Sequence, residues 1–411
     1  MTLLIPPYRL PLNRSASSDE GPYEDFYVPQ FEVKLAPSPN SPAQVLPLEV
    51  VRDVIQVTYQ DNVQEIDSFS LVISNYESDL SQAQPGLRSK YEPPSRPEFA
   101  ELFDPGKRIE LSMGYQGNLQ LMLKGEITTL EPNFQGASLT LSVSGLNVLH
   151  SFRAEQHTYA WEDTKDSDIA LEIGRNAQTR NRPGIGFPVR IKDAARAGEV
   201  PDPYVFMNNQ YDIMFLMERA RRCNYELVLK EVNERGQPDP HLYFGPSEGP
   251  EAPAYHLEWG RSLVAFRPTL TTARQVSEVV VAGWDLERNQ RIEGTASWES
   301  LIPRRDSAER ARQQRLMQAF GSRREIITDQ PVRSQREAED RARRILRELH
   351  KGMVEASGET IGLPDLRAGR KVQIDGVGDR FSGHYYVTES MHTINDGGYK
   401  TTFKARREEI E

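Results

Sequence analysis

The sequence has a single cysteine, Cys223, among its 411 residues. One cysteine excludes a disulfide within the chain and a thiolate metal cluster, as is typical of proteins made in a reducing cytoplasm. No apolar run approaches the roughly 18 residues of a membrane-spanning helix. The N-terminus, MTLLIPPYRL, has no basic residue before its short apolar stretch, so it does not resemble a signal peptide. These absences predict a protein made in the cytoplasm without stable membrane insertion.

Recognisable catalytic motifs are also absent from the sequence. It contains no GxSxG, HExxH, Walker loop, EF-hand loop or CxxC. Gly376 and Gly378 resemble the start of a dinucleotide-binding loop, but no third glycine follows at the required spacing, so a hairpin turn is the better interpretation. His384 and His392 have no third metal ligand nearby. We therefore expect no catalytic residue, no cofactor and no metal, and a protein that is not an enzyme.

The charge is acidic overall but uneven along the chain. A formal net charge of −10 argues against nucleic acid as the primary partner. Residues 301–350, by contrast, contain 13 Arg and no Lys against 8 Asp and Glu, a net charge of +5. Arginine without lysine indicates bidentate pairing with carboxylates, although a solvated helical face has the same composition. The candidate interface residues are Arg304, Arg305, Arg310, Arg312 and Arg315.

Changes of pattern predict four segments in the chain. Residues 1–45 are rich in proline and form an extended arm, with one short strand at residues 31–35. Residues 46–150 alternate apolar and polar side chains with a period of two, which predicts a first β domain. Residues 151–260 read as α/β. Residues 261–411 are again β, with a helical Arg-rich insertion at about 298–350.

Two helices can be placed by their apolar spacing. Residues 208–222 carry one apolar face, and Asn209 is the expected N-cap. Ser334 and Glu337 form a capping box before an apolar stripe, which predicts the second helix. Cys223 follows the first helix close to its apolar face, so a buried structural thiol is a better interpretation than a nucleophile.

Residues 103–145 and 366–407 follow the same order of turns and strands. Each begins with a glycine and a basic pair, and an alternating strand follows. Two further glycines then open two more strands. The glycines at the three turns are Gly106, Gly125 and Gly136 in the first stretch, and Gly369, Gly383 and Gly398 in the second. The two stretches are either a diverged repeat or two unrelated β-meanders.

Taken together, these features resemble the late control protein D family of phages. Its members are hubs of contractile tails, similar in fold to the hub portion of the type VI secretion spike protein VgrG. Residues 263–268 with 279–285 look like the family's central strand pair, and residues 334–346 look like its Ala-rich helix. The residues outside the first stretch that match the family pattern are Gly283, Trp284, Gly369, Gly376, Gly383, Tyr385, His392, Gly398 and Tyr399.

The resemblance implies an α+β, mainly β fold class, with two tail-tube-like β-barrel domains in one chain and an α/β insertion domain between them. Three chains would present six tube-like domains, so a homotrimer could join a hexameric inner tube to a trimeric spike. The implied partners are other copies of the chain, the inner tube protein, a separate spike or tip protein and baseplate wedge proteins. The N-terminal arm is longer than the family pattern leads us to expect, and we expect it to clamp a neighbouring baseplate or spike subunit.

The implied location is the baseplate of an assembled virion or injection particle, after synthesis in the bacterial cytoplasm. A phage tail, a tailocin and an extracellular contractile injection system fit the sequence equally. Three alternatives remain from other classes: a tail-associated peptidoglycan hydrolase, the hub of a non-contractile phage tail, and a β-rich adhesin. The first needs a catalytic pair that the sequence does not reveal. The last conflicts with the absence of a secretion signal.

Overall fold

The structure of the chain is a computed structural model. It describes residues 28–36, 41–77, 88–91, 99, 101–135, 138–177, 179, 181–232, 238–247, 254–273, 275–285, 289–297, 323–328, 332 and 334–407. Several sequence predictions lie outside the described residues: most of the N-terminal arm, residues 298–322 of the Arg-rich insertion, Gly136, and the candidate interface arginines Arg304, Arg305, Arg310, Arg312 and Arg315.

The first β unit follows from the alternation of apolar and polar side chains. Its elements are β1 (Pro29–Leu35), β2 (Gln44–Val45), α1 (Leu48–Asp53), β3 (Val54–Asn62), β4 (Ser68–Ser74), β5 (Tyr76–Glu77), β6 (Arg88–Ser89), β7 (Arg108–Tyr115), β8 (Asn118–Gln135) and β9 (Ser138–Asn147). Inward residues such as Val57, Tyr59, Leu71 and Ile73 are fully buried, and their neighbours are partly exposed. The strand predicted at residues 31–35 is confirmed within β1, which pairs with β7.

The α/β unit has a separate core. Its elements are a 3-10 helix (Val148–Arg153), β10 (Gln156–Thr164), α2 (Asp166–Arg175), β11 (Val189–Arg190), α3 (Asp193–Gly198), β12 (Asp202–Tyr211), α4 (Asp212–Cys223), β13 (Glu226–Val232) and β14 (Pro238–Gly245). β10 pairs with β12, and β14 lies between β11 and β13. The apolar faces of α2 and α4, with Ile169, Ile173, Ile213 and Leu216, pack into this core.

Helix α4 begins later than the sequence predicts. It starts at Asp212, and Asn209 is not its N-cap. Asn209 lies inside β12 with a φ of 49°, and its N–H donates to Oγ1 of Thr158 at 3.1 Å. The pairing of β12 with β10 therefore overrides the local capping signal.

Cys223, at the end of α4, is a buried thiol. Its Sγ–H donates a hydrogen bond to Oδ2 of Asp166 at 2.6 Å. Burial and the adjacent Asp166 carboxylate raise the pKa of the thiol well above its ordinary value. A thiol that stays protonated is a poor nucleophile, so the geometry supports a structural role.

The second β unit begins after the α/β unit. Its elements are β15 (Tyr255–Glu258), β16 (Leu263–Leu270), β17 (Glu278–Asp285), β18 (Gln290–Ser297), β19 (Arg324–Ile327), α5 (Gln335–Lys351), β20 (Val354–Ile361), β21 (Lys371–Asp375), β22 (Gly383–Asn395) and β23 (Gly398–Arg407). Tyr385, Val387 and Phe403 are among the side chains of its core.

An insertion between β16 and β20 forms a small unit of its own. β17 pairs with β18 and β19, and α5 packs on this sheet through Ala338, Ala342 and Leu346. The central strand pair that the resemblance suggests is therefore not formed, because β16 pairs with β20 instead of β17. Ser334 is confirmed as the N-cap of α5, since its hydroxyl accepts from the N–H of Glu337 at 3.2 Å, which is one of the two bonds of the predicted capping box.

One sheet of 13 strands joins the two β units. Its order is β16-β20-β23-β22-β3-β4-β9-β8-β7-β1-β2, with β21 beside β22 and β15 beside β21. The mainly β fold class predicted from the sequence is confirmed, whereas the limits of the four segments stay a prediction. No described helix is both long and apolar enough to cross a membrane.

Candidate functional site

The two β units contain five strands in the same order. In the first, β3 pairs with β4 and β4 with β9, and β7, β8 and β9 form a meander. In the second, β16 pairs with β20 and β20 with β23, and β21, β22 and β23 form a meander. These strands are called the first and the second copy below. The shared topology favours a diverged repeat over two unrelated meanders.

The turns that open the two meanders have matching hydrogen bonds. The N–H of Gly106 donates to the carbonyl of Ile127 at 2.8 Å, and that of Gly369 donates to the carbonyl of Val387 at 2.9 Å. The N–H groups of Ile127 and Val387 each bond back, at 2.9 Å, to the residue after the glycine. Both glycines have positive φ, 91° and 85°, which a residue with a Cβ rarely adopts.

Two β-bulges extend the correspondence along the strands. One lies at Ile127/Thr129 in β8 and at Val387/Glu389 in β22. The other lies at Val54/Gln56 in β3 and at Leu263/Ala265 in β16. A bulge adds one residue to one strand, so a bulge at the same step of both copies fixes their alignment. By this alignment, His392 of β22 corresponds to Pro132 of β8, and Tyr59 of β3 corresponds to Pro268 of β16.

Antiparallel pairing of β22 with β3 connects the two copies, and we call this contact the internal junction. It runs from Glu389↔Asn62 to Ile394↔Val57. The inward-facing pairs are Ser390↔Asp61, His392↔Tyr59 and Ile394↔Val57. All six residues are buried, with exposed fractions between 0% and 8%. The internal junction is therefore a continuous, dry part of the fold.

Arg367, in the turn before β21, holds the internal junction through charge. Its guanidinium contacts the hydroxyl of Tyr59 and the carbonyl of Met122, and its Nε lies 3.4 Å from Oδ2 of Asp61. Oδ1 of Asp61 accepts from the backbone N–H of Ser390, at 3.1 Å, and from its hydroxyl. Buried charges of this kind are tolerated only when they are paired and hydrogen-bonded.

His392 is held as a neutral ring in the same network. Its Nε2 lies 3.1 Å from the carbonyl of Leu366, which can only accept, so Nε2 carries the proton. Nδ1 then accepts from the hydroxyls of Tyr399 and Thr401, at 3.0 and 3.1 Å. Burial lowers the pKa of His392 to about 3. Among the predicted residues, the structure thus brings His392 and Tyr399 together in a hydrogen-bond network.

The turn before β21 also docks on the β7–β8 hairpin of the first copy. The hydroxyl of Tyr115 donates to the carbonyl of Gly362 at 2.9 Å, and Nε2 of Gln120 donates to Asp365 at 3.2 Å. The rings of Tyr115 and Tyr399 lie 5.6 Å apart. Strand pairing, buried charge and this docked turn together join the copies.

The other predicted glycines and aromatics are dispersed through the fold. A Cβ on Gly125 would lie 2.1 Å from the carbonyl oxygen of Leu146, and one on Gly283 would lie 2.3 Å from Val332. Trp284 lies in the insertion and is 53% exposed. Tyr385 is buried in the second core, and Gly376, Gly383 and Gly398 have positive φ at or next to strand ends. The functional role of these dispersed glycines and aromatic residues therefore stays a prediction.

Sequence reasoning missed Tyr59, Asp61 and Arg367. One signal was present: Val57, Tyr59 and Asp61 occupy the same alternating phase of one strand, so an acid falls where buried apolar residues are expected. The partner, Arg367, could not be identified, because it lies about 300 residues further along the chain and its contact depends on the tertiary fold.

Two strand edges of the sheet are unpaired within the described part of the chain, and we call them the free edges. The first is the β8 free edge, residues 129–135, because β7 pairs only with the N-terminal half of β8. The second is the β16 free edge, on the side of residues 265–270 that faces away from β20, since Leu263 is bridged to Trp259. By the alignment of the copies, the β8 free edge corresponds to the segment of β22 in the internal junction, and the β16 free edge corresponds to the segment of β3.

Metal-binding groups were also sought in the structure. Within the described ranges, no cluster of three or more His, Cys, Asp or Glu side chains has the geometry to hold a metal ion. The unpaired edges and the internal junction are thus the features of the described residues that point to a role.

Comparisons with known sequences give little information on family. A family model described as the Alg8 N-terminal domain matches residues 239–396, less than half of the chain. The match begins in β14 and ends after β22, so it crosses several structural units. It does not support the late control protein D resemblance. No curated protein sequence matches the chain.

Solved structures are similar over nearly the whole chain. The 43 kDa tail protein of prophage MuSo2 from Shewanella oneidensis has a TM-score of 0.63 at 13% identity, covering 92% of this chain and 98% of that one. A tail protein from Neisseria meningitidis MC58 has a TM-score of 0.61 at 12% identity, covering 93% and 98%. Prophage tail protein gp18 from Listeria monocytogenes EGD-e has a TM-score of 0.51 at 13% identity, covering 91% and 94%.

The chain has the fold of phage tail proteins. At these identities the likeness establishes the fold alone, and at that level it agrees with the family resemblance seen in the sequence. Because the alignments cover over 90% of the chain, the tail-protein fold includes both copies and most of the α/β unit between them.

Proposed function

We propose that the protein is a structural component of a tail, namely the central hub of the baseplate of a contractile injection machine. It would form a homotrimer that connects a hexameric inner tube to a trimeric spike. The observation that supports this proposal is the duplication of one five-stranded motif within one chain. Three chains then supply six copies, which is how a threefold object can match a sixfold one.

The internal junction suits a part that transmits mechanical load. Two copies lie side by side in one sheet of 13 strands, and buried charge pairing locks them in a single register. Force applied to one copy is therefore carried by backbone hydrogen bonds and not by a hinge. The proposed role needs no chemical step, in line with a protein that is not an enzyme.

The proposed partners follow from this role. They are two further copies of the chain, the inner tube protein, a separate spike or tip protein and baseplate wedge proteins. The arm before residue 28 and the arginines at 304, 305, 310, 312 and 315 are proposed contacts with neighbouring baseplate subunits. The protein would be made in the bacterial cytoplasm and act in the assembled virion or injection particle. The similar proteins from Shewanella and Neisseria are described as tail proteins.

The native mass of the purified protein tests the proposal. We expect a trimer of three 46.7 kDa chains by light scattering or native mass spectrometry, alone or with the co-expressed spike protein. Projection images of the trimer should show six similar densities around the axis. A monomer in both preparations would contradict the hub. Clearing of a peptidoglycan zymogram would favour the hydrolase alternative instead.

A further inference from the structure

We infer that the β8 free edge of one chain pairs antiparallel with the β16 free edge of the next chain, in a register fixed by the internal junction. The inference rests on the proposed homotrimer and adds which surfaces meet and which residues face each other. The internal junction serves as the template, because it joins the corresponding segments of β22 and β3. Within the described residues a chain with two copies leaves one segment of each kind unpaired, and a second copy of the chain offers the complementary segment.

The exposure of the free edges supports this pairing. Phe134 is 59% exposed, and Phe266 and Leu270 are only partly buried although they pack on the second core. The corresponding residues of the internal junction are buried, as for Ile394, which corresponds to Phe134. Apolar side chains that are exposed on an unpaired strand are typical of an interface.

The register follows from the correspondence between the copies. Val57↔Ile394, Tyr59↔His392 and Asp61↔Ser390 of the internal junction become Phe266↔Phe134, Pro268↔Pro132 and Leu270↔Leu130 between chains. Each predicted pair joins apolar residues, so the two edges are complementary in polarity as well as in position. Between these pairs, Asn133 would face Arg267 and Glu131 would face Thr269.

The occupant of each edge is therefore a second copy of the chain. Pro132 and Pro268 pair with β9 and β20 on one side only, and they mark the free edges, because proline lacks an N–H and is tolerated in a sheet on an edge that has no partner in the folded chain. Brought opposite each other, the two prolines remove both hydrogen bonds from the middle of the ladder. Pairing between chains is thus weaker than pairing at the internal junction, which keeps free chains from associating edge to edge in a wrong register.

Disulfide cross-linking of the full chain tests the register. Asn133 and Arg267 are exposed and would form a non-hydrogen-bonded pair, in which Cα atoms lie about 4.5 Å apart, within reach of a disulfide. We expect N133C/R267C to give a covalent trimer on non-reducing gels after mild oxidation. The native Cys223 is buried and stays in all variants, so the wild-type chain controls for its reactivity.

Two matched variants control the geometry. T58C/T393C places cysteines at the corresponding pair of the internal junction and should give a disulfide within one chain, without any covalent oligomer. N133C/T269C places the two cysteines at diagonal positions of the same strand pair, where the Cα atoms lie about 7 to 8 Å apart. This variant should give at least tenfold less covalent trimer than N133C/R267C.

The native mass, measured on the same samples, separates the two proposals. A trimer that cross-links in N133C/R267C but not in N133C/T269C supports the register. A trimer without the N133C/R267C cross-link overturns the edge pairing and leaves the hub proposal standing. A monomer without any cross-link between chains, both alone and with the co-expressed spike protein, overturns both.

Discussion

The internal junction and the free edges occupy corresponding places in the two copies but are built from different side chains. Tyr59 and His392 meet at the centre of the internal junction, where the free edges carry Pro268 and Pro132. Asp61, which is paired with Arg367, corresponds to Leu270. One edge pair is polar, hydrogen-bonded and buried. The other is apolar, interrupted by proline and partly exposed.

The difference reflects how each contact forms. The internal junction forms once, within one chain, so its buried charges find their partners at the high effective concentration of a tethered segment. In the proposed assembly the free edges stay unpaired until two chains meet. Prolines on these edges limit unwanted strand addition, as in other natural sheets. The pairing proposed between chains would then be reversible, whereas the internal junction is part of the fold.

The largest expected effect comes from breaking the buried ion pair of the internal junction. Arg367→Met leaves Asp61 charged and buried, which should lower the free energy of unfolding by about 3 to 5 kcal/mol. Lys404→Met serves as control, because it removes an exposed pair with Glu389 at 2.8 Å and should change stability by less than about 1 kcal/mol. Urea unfolding followed by circular dichroism measures both.

A second variant sharpens the test of this ion pair. D61N/R367M removes both charges and keeps an acceptor for the N–H of Ser390, so it should recover part of the loss seen with R367M alone. An R367M protein as stable as the wild type would mean that the internal junction does not depend on its charges.

The internal junction should add a pH dependence of stability that the first copy lacks, because the first copy has Pro132 at the position of His392. His350 of α5 adds to the same trend in the whole chain, because burial lowers its pKa to about 3 as well. With a pKa near 3 in the folded chain and about 6.5 when unfolded, His392 stays neutral while the unfolded chain takes up a proton. The resulting loss of unfolding free energy is absent above about pH 6.5. Its full cost is reached at low pH, and by pH 5 the unfolding free energy should fall by about 2 kcal/mol.

His392→Gln should remove this contribution. The measurement is the difference between wild type and variant at pH 7.5 and pH 5, since other groups also titrate. Burial and the Asp61 carboxylate raise the pKa of Asp67, so that group opposes the trend by stabilising the folded chain as the pH falls. Equal pH profiles for wild type and H392Q would refute the assignment.

The two opening turns should be equally sensitive to substitution if the copies are equivalent. Gly106→Ala and Gly369→Ala place a Cβ at positive φ without a severe clash, so each should cost about 1 to 2 kcal/mol of unfolding free energy. Gly198→Ala, where a Cβ meets open space, is the control and should be neutral or slightly stabilising. Clearly unequal costs at the two turns would break the equivalence.

The smallest effect concerns the prolines of the free edges. P132T/P268T supplies two N–H groups to the middle of the ladder, each worth about 0.5 to 1.5 kcal/mol net. The contact between chains should tighten about tenfold or more, as measured by light scattering on dilution. Glu131→Thr is the matched control, because the backbone N–H and C=O of Glu131 do not face the free edge. Unchanged association in P132T/P268T would argue against pairing of these edges.

The sequence by itself determined the local structure. Alternation with a period of two predicted the strands of both meanders, and glycine at the turns predicted their order, since both are set by residues close in the chain. The N-cap at Ser334 is confirmed for the same reason. The apparent N-cap at Asn209 failed because a strand pair formed over it. The family resemblance came from these local patterns and agrees with the observed fold.

Only the tertiary structure decided which strands meet. Alternation fixes the face that a strand buries but not its partner, so the sequence could not show that β22 pairs with β3 or that β17 leaves the main sheet. For the same reason it could not join Asp61 to Arg367, or show that one edge of β8 and one edge of β16 are unpaired within the described residues. Those contacts link residues far apart in sequence, and their energies depend on burial that exists only after the two copies have come together.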